Sequence, residues 1–367
     1  MRYLLMGYGS IAKTLMSIIR ARGENYDITI CDVKKDGISG QEMIRKYHDR
    51  FDAVINLTDE RVRPIVALCD RYHLRYLDAG YEDKNSVFVD HYLKITGENP
   101  PAAHLYGFGM NPGIVEYMPF LYKDRRPYYA CVFETDLPED ANGHEKENHV
   151  YATWCPPSYY DEAAILDAFI STKDEICRYI PDEKRYGIRL KTKDGSFAYN
   201  ITPHEEIFNI QRRDPLCRGS AFIYHAPENL QNYVLENREK KEAAFMSSIP
   251  VKHDLSGTET VGVLIYDGTD NVRYIANRCD HRTCYLQYGY NATCYQTACG
   301  VYIGLRLLGQ VPEGSSLTFT RACQMYYNEI SQLLNSLDFK IETMDYYMDR
   351  AEFEDKLLPL FKMDKKA

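Results

Sequence analysis

The sequence predicts two domains: a doubly wound parallel α/β domain, then an α+β domain on a mostly antiparallel sheet. Three observations carry this reading. The chain has 367 residues, more than a single hydrophobic core usually serves. Its first eighty residues alternate short apolar runs with stretches of helical periodicity, the signature of a parallel sheet. From Tyr129 onward, strand-like runs follow one another without intervening helices, as in an antiparallel sheet. The expected division is 1–113, 114–288 and 289–367, the last being helical and at least partly returning to the first domain.

Arg2 to Met6 reads as a buried strand, and Gly7-Tyr8-Gly9-Ser10-Ile11-Ala12 follows at once. Lys13 to Arg22 then carries apolar residues at helical spacing (Leu15, Ile18, Ile19) and stops at Gly23. A strand, a tight glycine turn and a helix form the dinucleotide-binding unit of a Rossmann fold. Gly7 permits the turn, and Gly9 lets backbone amides approach a pyrophosphate. Ser10 and Ile11 lie in the turn before the helix, whose N-terminus favours negative charge. The second strand, Asp27 to Cys31, ends in Asp32, placed to accept hydrogen bonds from ribose hydroxyls. NAD is therefore the expected cofactor, with NADP left open by Lys34 and Lys35. Ala53 to Leu57 and Arg75 to Asp78 are further strands, separated by a helix near Val62 to Tyr72. Ligands of such sheets sit beyond the carboxyl ends of the strands, which marks Asn56, Thr58, Asp78 and Glu82 as crevice candidates.

Composition narrows the partners. Net charge is −9 from 44 basic and 53 acidic residues, so no nucleic-acid partner is expected. No run reaches the roughly 18–20 apolar residues of a membrane helix, and no membrane partner is expected either. Eleven cysteines are scattered, lack zinc-site spacing and follow no secretory signal. Reduced, mostly buried thiols, a cytoplasmic location and no metal are therefore expected.

Tyr106 to Gly113 is a loop that closes the first domain, with a helix over Ile114 to Leu121. Strands are expected over Tyr129–Thr135, His149–Trp154, Ile188–Leu190, Ala198–Ile201, Ala221–His225 and Thr258–Tyr266. Helix is expected over Asn291–Leu308 and over the last forty residues. Four features of this part suggest chemistry: Trp154, the only tryptophan; Glu134 and Asp136 at a strand end; Glu162; and His225. Each also has a structural reading: an indole in a core, a helix-start carboxylate, a satisfied strand-end histidine.

Together, the Asn111-Pro112-Gly113 loop, the Ala152-Thr153-Trp154 run, the strand ending in His225, and Asn291-Ala292-Thr293 before Gln296-Thr297-Ala298 resemble bacterial homospermidine synthases of the saccharopine dehydrogenase-like superfamily. The resemblance runs in order from Gly7 to about Leu308. It implies NAD-dependent transfer of an aminobutyl group between diamines, in a homodimer, with a small amine as substrate. It further implies Trp154, Glu134 and Glu82 as substrate-binding residues and His225, Glu162 and Asn111 as catalytic ones. The sequence departs from the family's pattern at Asp83-Lys84, at Cys155-Pro156-Pro157 and at Glu228. Two other readings stay open: a saccharopine-, opine- or carboxynorspermidine-type NAD(P)H-dependent dehydrogenase joining an amine to a carbonyl compound, with Arg212, Arg213 or Arg218 for a carboxylate; and a nucleotide-binding protein that turns over no amine.

Overall fold

The computed structural model describes residues 1–80, 88–124, 126–140, 150–240, 246 and 248–363. The chain forms two compact units: Met1–Ile114 with Leu286–Tyr290 and Cys294–Phe339, and Val115–Tyr285 with Asn291–Thr293 and Lys340–Ala367.

The first unit is the expected Rossmann-type α/β sheet. Strands β1 (Arg2–Met6), β2 (Asp27–Cys31), β3 (Ala53–Asn56), β4 (Arg75–Asp78) and β5 (His104–Tyr106) lie in the order β2-β1-β3-β4-β5, all parallel. Leu4, Leu5, Val54, Ile55 and Leu77 are fully buried, as strands covered on both faces require. The strand order reverses between β1 and β3, and this topological switch point lies at Gly7 and Leu57. The helix Ala292–Leu308 packs so closely on this unit that a side chain at Gly300 would strike the Gly109 carbonyl.

The second unit carries β6 (Tyr128–Asp140), β7 (Phe169–Thr172), β8 (Arg178–Tyr179), β9 (Ile188–Thr192), β10 (Gly195–Ile201), β11 (Cys217–His225), β12 (Leu255–Tyr266) and β13 (Asn271–Asp280). Ser316–Thr318 (β14) extends the first sheet beside β5, and Glu342–Asp349 (β15) pairs with β13. The second sheet runs β15-β13-β12-β6-β11-β10-β9 and is antiparallel except at β6–β11. Side chains alternate between its faces. One face presents Cys131, Phe133, Ile223, Leu264 and Tyr274 to Tyr347, Phe353, Leu357 and Phe361, forming an apolar core. Several of the 32 tyrosines are spent here, as in the Tyr274–Tyr347 stack at 4.2 Å. The other face carries the polar residues described below.

Three expectations are corrected. Of the run ending at Trp154, the described residues form no strand. Only Ala152 finds a ladder partner, an isolated bridge to Val251, before the chain bends into the helix Pro156–Tyr160. Ile114–Leu121 is a 3₁₀ rather than an α-helix, with Pro119 inside it lacking the N–H an α-helix needs. The final forty residues are not all helical, because Tyr347 and Met348 of β15 are buried against the apolar face of the sheet. All eleven cysteines are free and most are buried. Among the described residues, no helix is long and apolar enough to cross a membrane.

Candidate functional site

In the first unit, β1 ends in a turn that only glycine fits. Gly7 has φ +83°, its N–H donates to the Cys31 carbonyl at 2.9 Å, and a Cβ there would lie 2.5 Å from the Leu57 oxygen. Gly9 precedes the helix Ser10–Ala21, whose N-terminus no side chain caps, and a Cβ on Gly9 would meet nothing within 4 Å. Open space beside a helix N-terminus suits a pyrophosphate. One Asp32 oxygen accepts from the Tyr8 amide at 3.0 Å and the other from the Lys34 amide at 3.0 Å, so the carboxylate is fixed at the end of β2. Asn56 accepts from the Thr58 amide and hydroxyl at 3.2 and 2.6 Å, and Asp78 accepts from the Gly107 amide at 2.7 Å. Asn56 and Asp78 therefore brace the loops at the crevice. Asn111 lies in the loop closed by Gly113, before a cis proline.

In the second unit, the polar face gathers three carboxyl groups. Glu134 and Asp136 project from β6 and Glu259 from β12, where it sits directly opposite Asp136. They are 5%, 0% and 1% exposed. The Thr153 hydroxyl donates to one Asp136 oxygen at 2.5 Å, and His281 Nε2 lies 3.0 Å from the other. His281 Nδ1 accepts from the Ala292 amide at 3.3 Å, which places the imidazole proton on Nε2, toward Asp136. The Asn291 carboxamide ties this region together by donating to the Thr153 and Lys252 carbonyls at 2.6 and 3.0 Å. Glu259 accepts from the Thr293 hydroxyl and is hydrogen-bonded to Glu134. Burial, then Asp136 and Glu134, push the Glu259 carboxyl well above the usual range. A cation beside such a group favours its ionised form.

Aromatic rings wall this cluster. The half-buried Trp154 donates its indole N–H to the Tyr224 hydroxyl at 3.0 Å. Tyr159 meets Tyr224 edge-on at 5.4 Å and Trp154 at 6.2 Å. Burial, then Glu134, Asp136 and Glu259, keep the Tyr224 phenol un-ionised. Ligand atoms of Asp136, Glu259 and His281 lie within 4.8 Å of one another, as do those of His204, Glu205 and Glu206. In the first set, hydrogen bonds already engage both His281 nitrogens and both Asp136 oxygens.

Glu162 belongs to a neighbouring group. It sits in the π-helical turn Asp161–Ile165, with its carboxylate 3.4 Å from His204 Nε2. Glu206 lies 3.2 Å from His204 Nδ1. Glu162 and Glu134 both act electrostatically on Tyr159.

The structure thus brings together Glu134 and Trp154 around Tyr224, with Glu162 also near Tyr159. It does not bring His225 to them. His225 follows Ile223 on the apolar face, with Nδ1 2.8 Å from the Ala198 carbonyl and its ring against Phe197 and Tyr199. Tyr224, one residue earlier, points to the polar face instead. Burial lowers the basicity of His225. Glu82 lies outside the described residues. Sequence reasoning missed Glu259, His281, His204, Glu206 and Tyr224. For Glu259 a signal existed: a carboxylate flanked by Thr258 and Thr260 at the start of the apolar run Val261–Tyr266.

No protein-family model matches the chain, and no curated protein matches its sequence. Solved structures do match its fold. Homospermidine synthase from Legionella pneumophila, in complex with NAD, superposes with a TM-score of 0.74 at 14% identity, covering 94% of this chain and 91% of that one. Apo saccharopine dehydrogenase (L-Glu forming) from Saccharomyces cerevisiae superposes with a TM-score of 0.57 at 12% identity, over 94% and 99% of the two chains. The chain therefore has the fold shared by these proteins.

Proposed function

We propose that this protein is a nicotinamide-dependent oxidoreductase acting on an organic amine and, in finer terms, that it transfers an aminobutyl group between diamines. One observation carries the amine assignment. Glu259 is buried with Glu134 and Asp136 beside a half-buried indole, and burial and its two acidic neighbours raise its carboxyl well above the usual range. Carboxylates and a π-face are what an ammonium needs to leave water. Gly7, Gly9, Ser10, Ile11 and Asp32 would hold the dinucleotide. The fold shared with an NAD-bound homospermidine synthase supports that part.

The nicotinamide, when bound, supplies the hydride acceptor and later the donor. The chain's own residues do the rest. The arriving ammonium displaces the Glu259 proton and is held by Glu134, Glu259 and the Trp154 face. A carboxylate, a role we give to Glu162, takes a proton from the amine so that its α-carbon can lose hydride. A second amine adds to the resulting substrate imine, ammonia leaves, and the returning hydride yields a secondary amine with no net redox change.

Pure protein incubated with NAD and putrescine is expected to form homospermidine without net accumulation of NADH. Consumption of NAD(P)H that depends on a keto acid would select the saccharopine-type reading instead. That reading needs an arginine cluster for the acid, and Arg212 and Arg218 are exposed. Neither product nor reduced cofactor, with any amine, would overturn both.

Trp154→Leu removes the π-face and the donor to Tyr224. A cation–π contact contributes about 0.5–2 kcal/mol, so diamine affinity is expected to fall roughly 2- to 30-fold. NAD affinity, measured in parallel, should not change.

A further inference from the structure

Glu162, His204 and Glu206 form a line of titratable groups on the polar face, graded in exposure. Their side chains are 21%, 11% and 0% exposed. Glu206 opens the helix Glu206–Arg213 and presents Oε2 to His204 Nδ1 at 3.2 Å. Its Oε1 is buried and has no hydrogen-bond partner among the described residues. The His204 ring is clamped by stacking on Phe222 at 3.9 Å and 24°. Its Nε2 meets Glu162 Oε2 at 3.4 Å.

The backbone beneath Glu162 is fixed as well. The buried Arg185 guanidinium donates to the carbonyls of Glu162, Leu166 and Ile201, and the Tyr186 hydroxyl donates to the Ala163 carbonyl at 2.9 Å. The turn is thus held at its carbonyl ends, and the carboxylate is aimed by the imidazole.

We infer that His204 and Glu206 are a positioning pair for Glu162, orienting its carboxylate to take a proton from the substrate ammonium. This rests on the amine-oxidoreductase reading above. The arrangement is a carboxylate–imidazole–carboxylate chain in which the inner carboxylate fixes the ring and the ring fixes the outer carboxylate. Burial opposes charge on His204, but Glu206 and then Glu162 outweigh it and hold the ring as imidazolium. The other ionisable groups nearby are Glu205 beside Glu206, and Tyr159 and Arg185 beside Glu162. In the step itself, an amine N–H bond breaks and a Glu162 O–H bond forms. The electron pair stays on nitrogen, and the Nε2–H of the imidazolium remains on His204.

His204→Gln and the gentler Glu206→Gln test this, each checked for a native near-UV circular dichroism spectrum. For both, kcat with NAD and diamine is expected to fall, by about 10²-fold for His204→Gln. The diamine KM should stay within about threefold, a split between kcat and KM that a merely structural role would not give. In the parent protein, ¹⁵N-histidine NMR should show His204 protonated on both nitrogens at pH 7, a state that weakens in Glu206→Gln. Folded variants whose kcat matches the parent would overturn the positioning role and leave the amine reading standing. A parent that turns over no amine would instead remove that reading, and this inference with it.

Discussion

Glu259→Gln is expected to stabilise the protein and to remove its amine affinity. In the unfolded chain Glu259 is ionised above about pH 4.5. In the folded chain burial, Asp136 and Glu134 raise the carboxyl well above that value, so folding at neutral pH takes up a proton. A group raised in this way favours the folded state only below its unfolded pKa, and that contribution is lost as pH climbs through the folded value. Glutamine needs no proton. Its amide oxygen can accept from the Thr293 hydroxyl and its NH₂ can donate to Glu134, keeping both bonds of the native side chain. A gain of about 1–2 kcal/mol at pH 7 is expected, shrinking toward zero below pH 4. Removing one charge from a buried ammonium–carboxylate pair costs about 2–5 kcal/mol, so diamine affinity should drop at least ~30-fold. Thermal unfolding at pH 4 and pH 7, with calorimetric amine titration, checks both halves. A destabilised variant that still binds diamine would mean that Glu259 serves packing rather than a cation.

Gly7→Ala is expected to cost the first unit about 2–4 kcal/mol, combining left-handed backbone strain with overpacking. At φ +83° its Cβ would lie 2.5 Å from the Leu57 oxygen and 3.0 Å from Thr58 Cγ2, and neither the backbone oxygen nor the braced Thr58 can retreat cheaply. Dinucleotide binding should be lost with the turn. Gly9→Ala is the informative partner. Its φ of −78° accepts alanine and its Cβ meets no atom of the chain, so stability should hold while NAD affinity falls. Equal effects of the two substitutions on melting temperature would contradict the distinct roles given to these glycines.

The first unit was legible because its signals are local. The turn at Gly7, the helical spacing of Leu15 and Ile18, and Asp32 at the end of β2 all lie within 25 residues. The second unit was legible as a set of strands but not as a site. His225 and Tyr224 are neighbours in sequence, and which of them joins Trp154 depends on which face of β11 the core claims. That choice is made by Ile223, Tyr274 and Phe361, remote in sequence from one another. Glu259 opposes Asp136 only through the register of β12 on β6, and His204 reaches Glu162 across 42 residues. Trp154 was read at a strand end, whereas the chain there bends, and the indole is held by Tyr224 and Tyr159 instead of by a ladder. Long-range register, which a single sequence does not display, therefore decided the membership of the site.

The central claim is that the buried carboxyls await an organic cation. Calorimetric titration of the intact protein with putrescine at pH 7, repeated in buffers of different ionisation enthalpy, measures protons exchanged on binding. Release of close to one proton per diamine bound, absent in Glu259→Gln, is the predicted result. Saturable binding with no proton release, or no binding with or without NAD present, would contradict it.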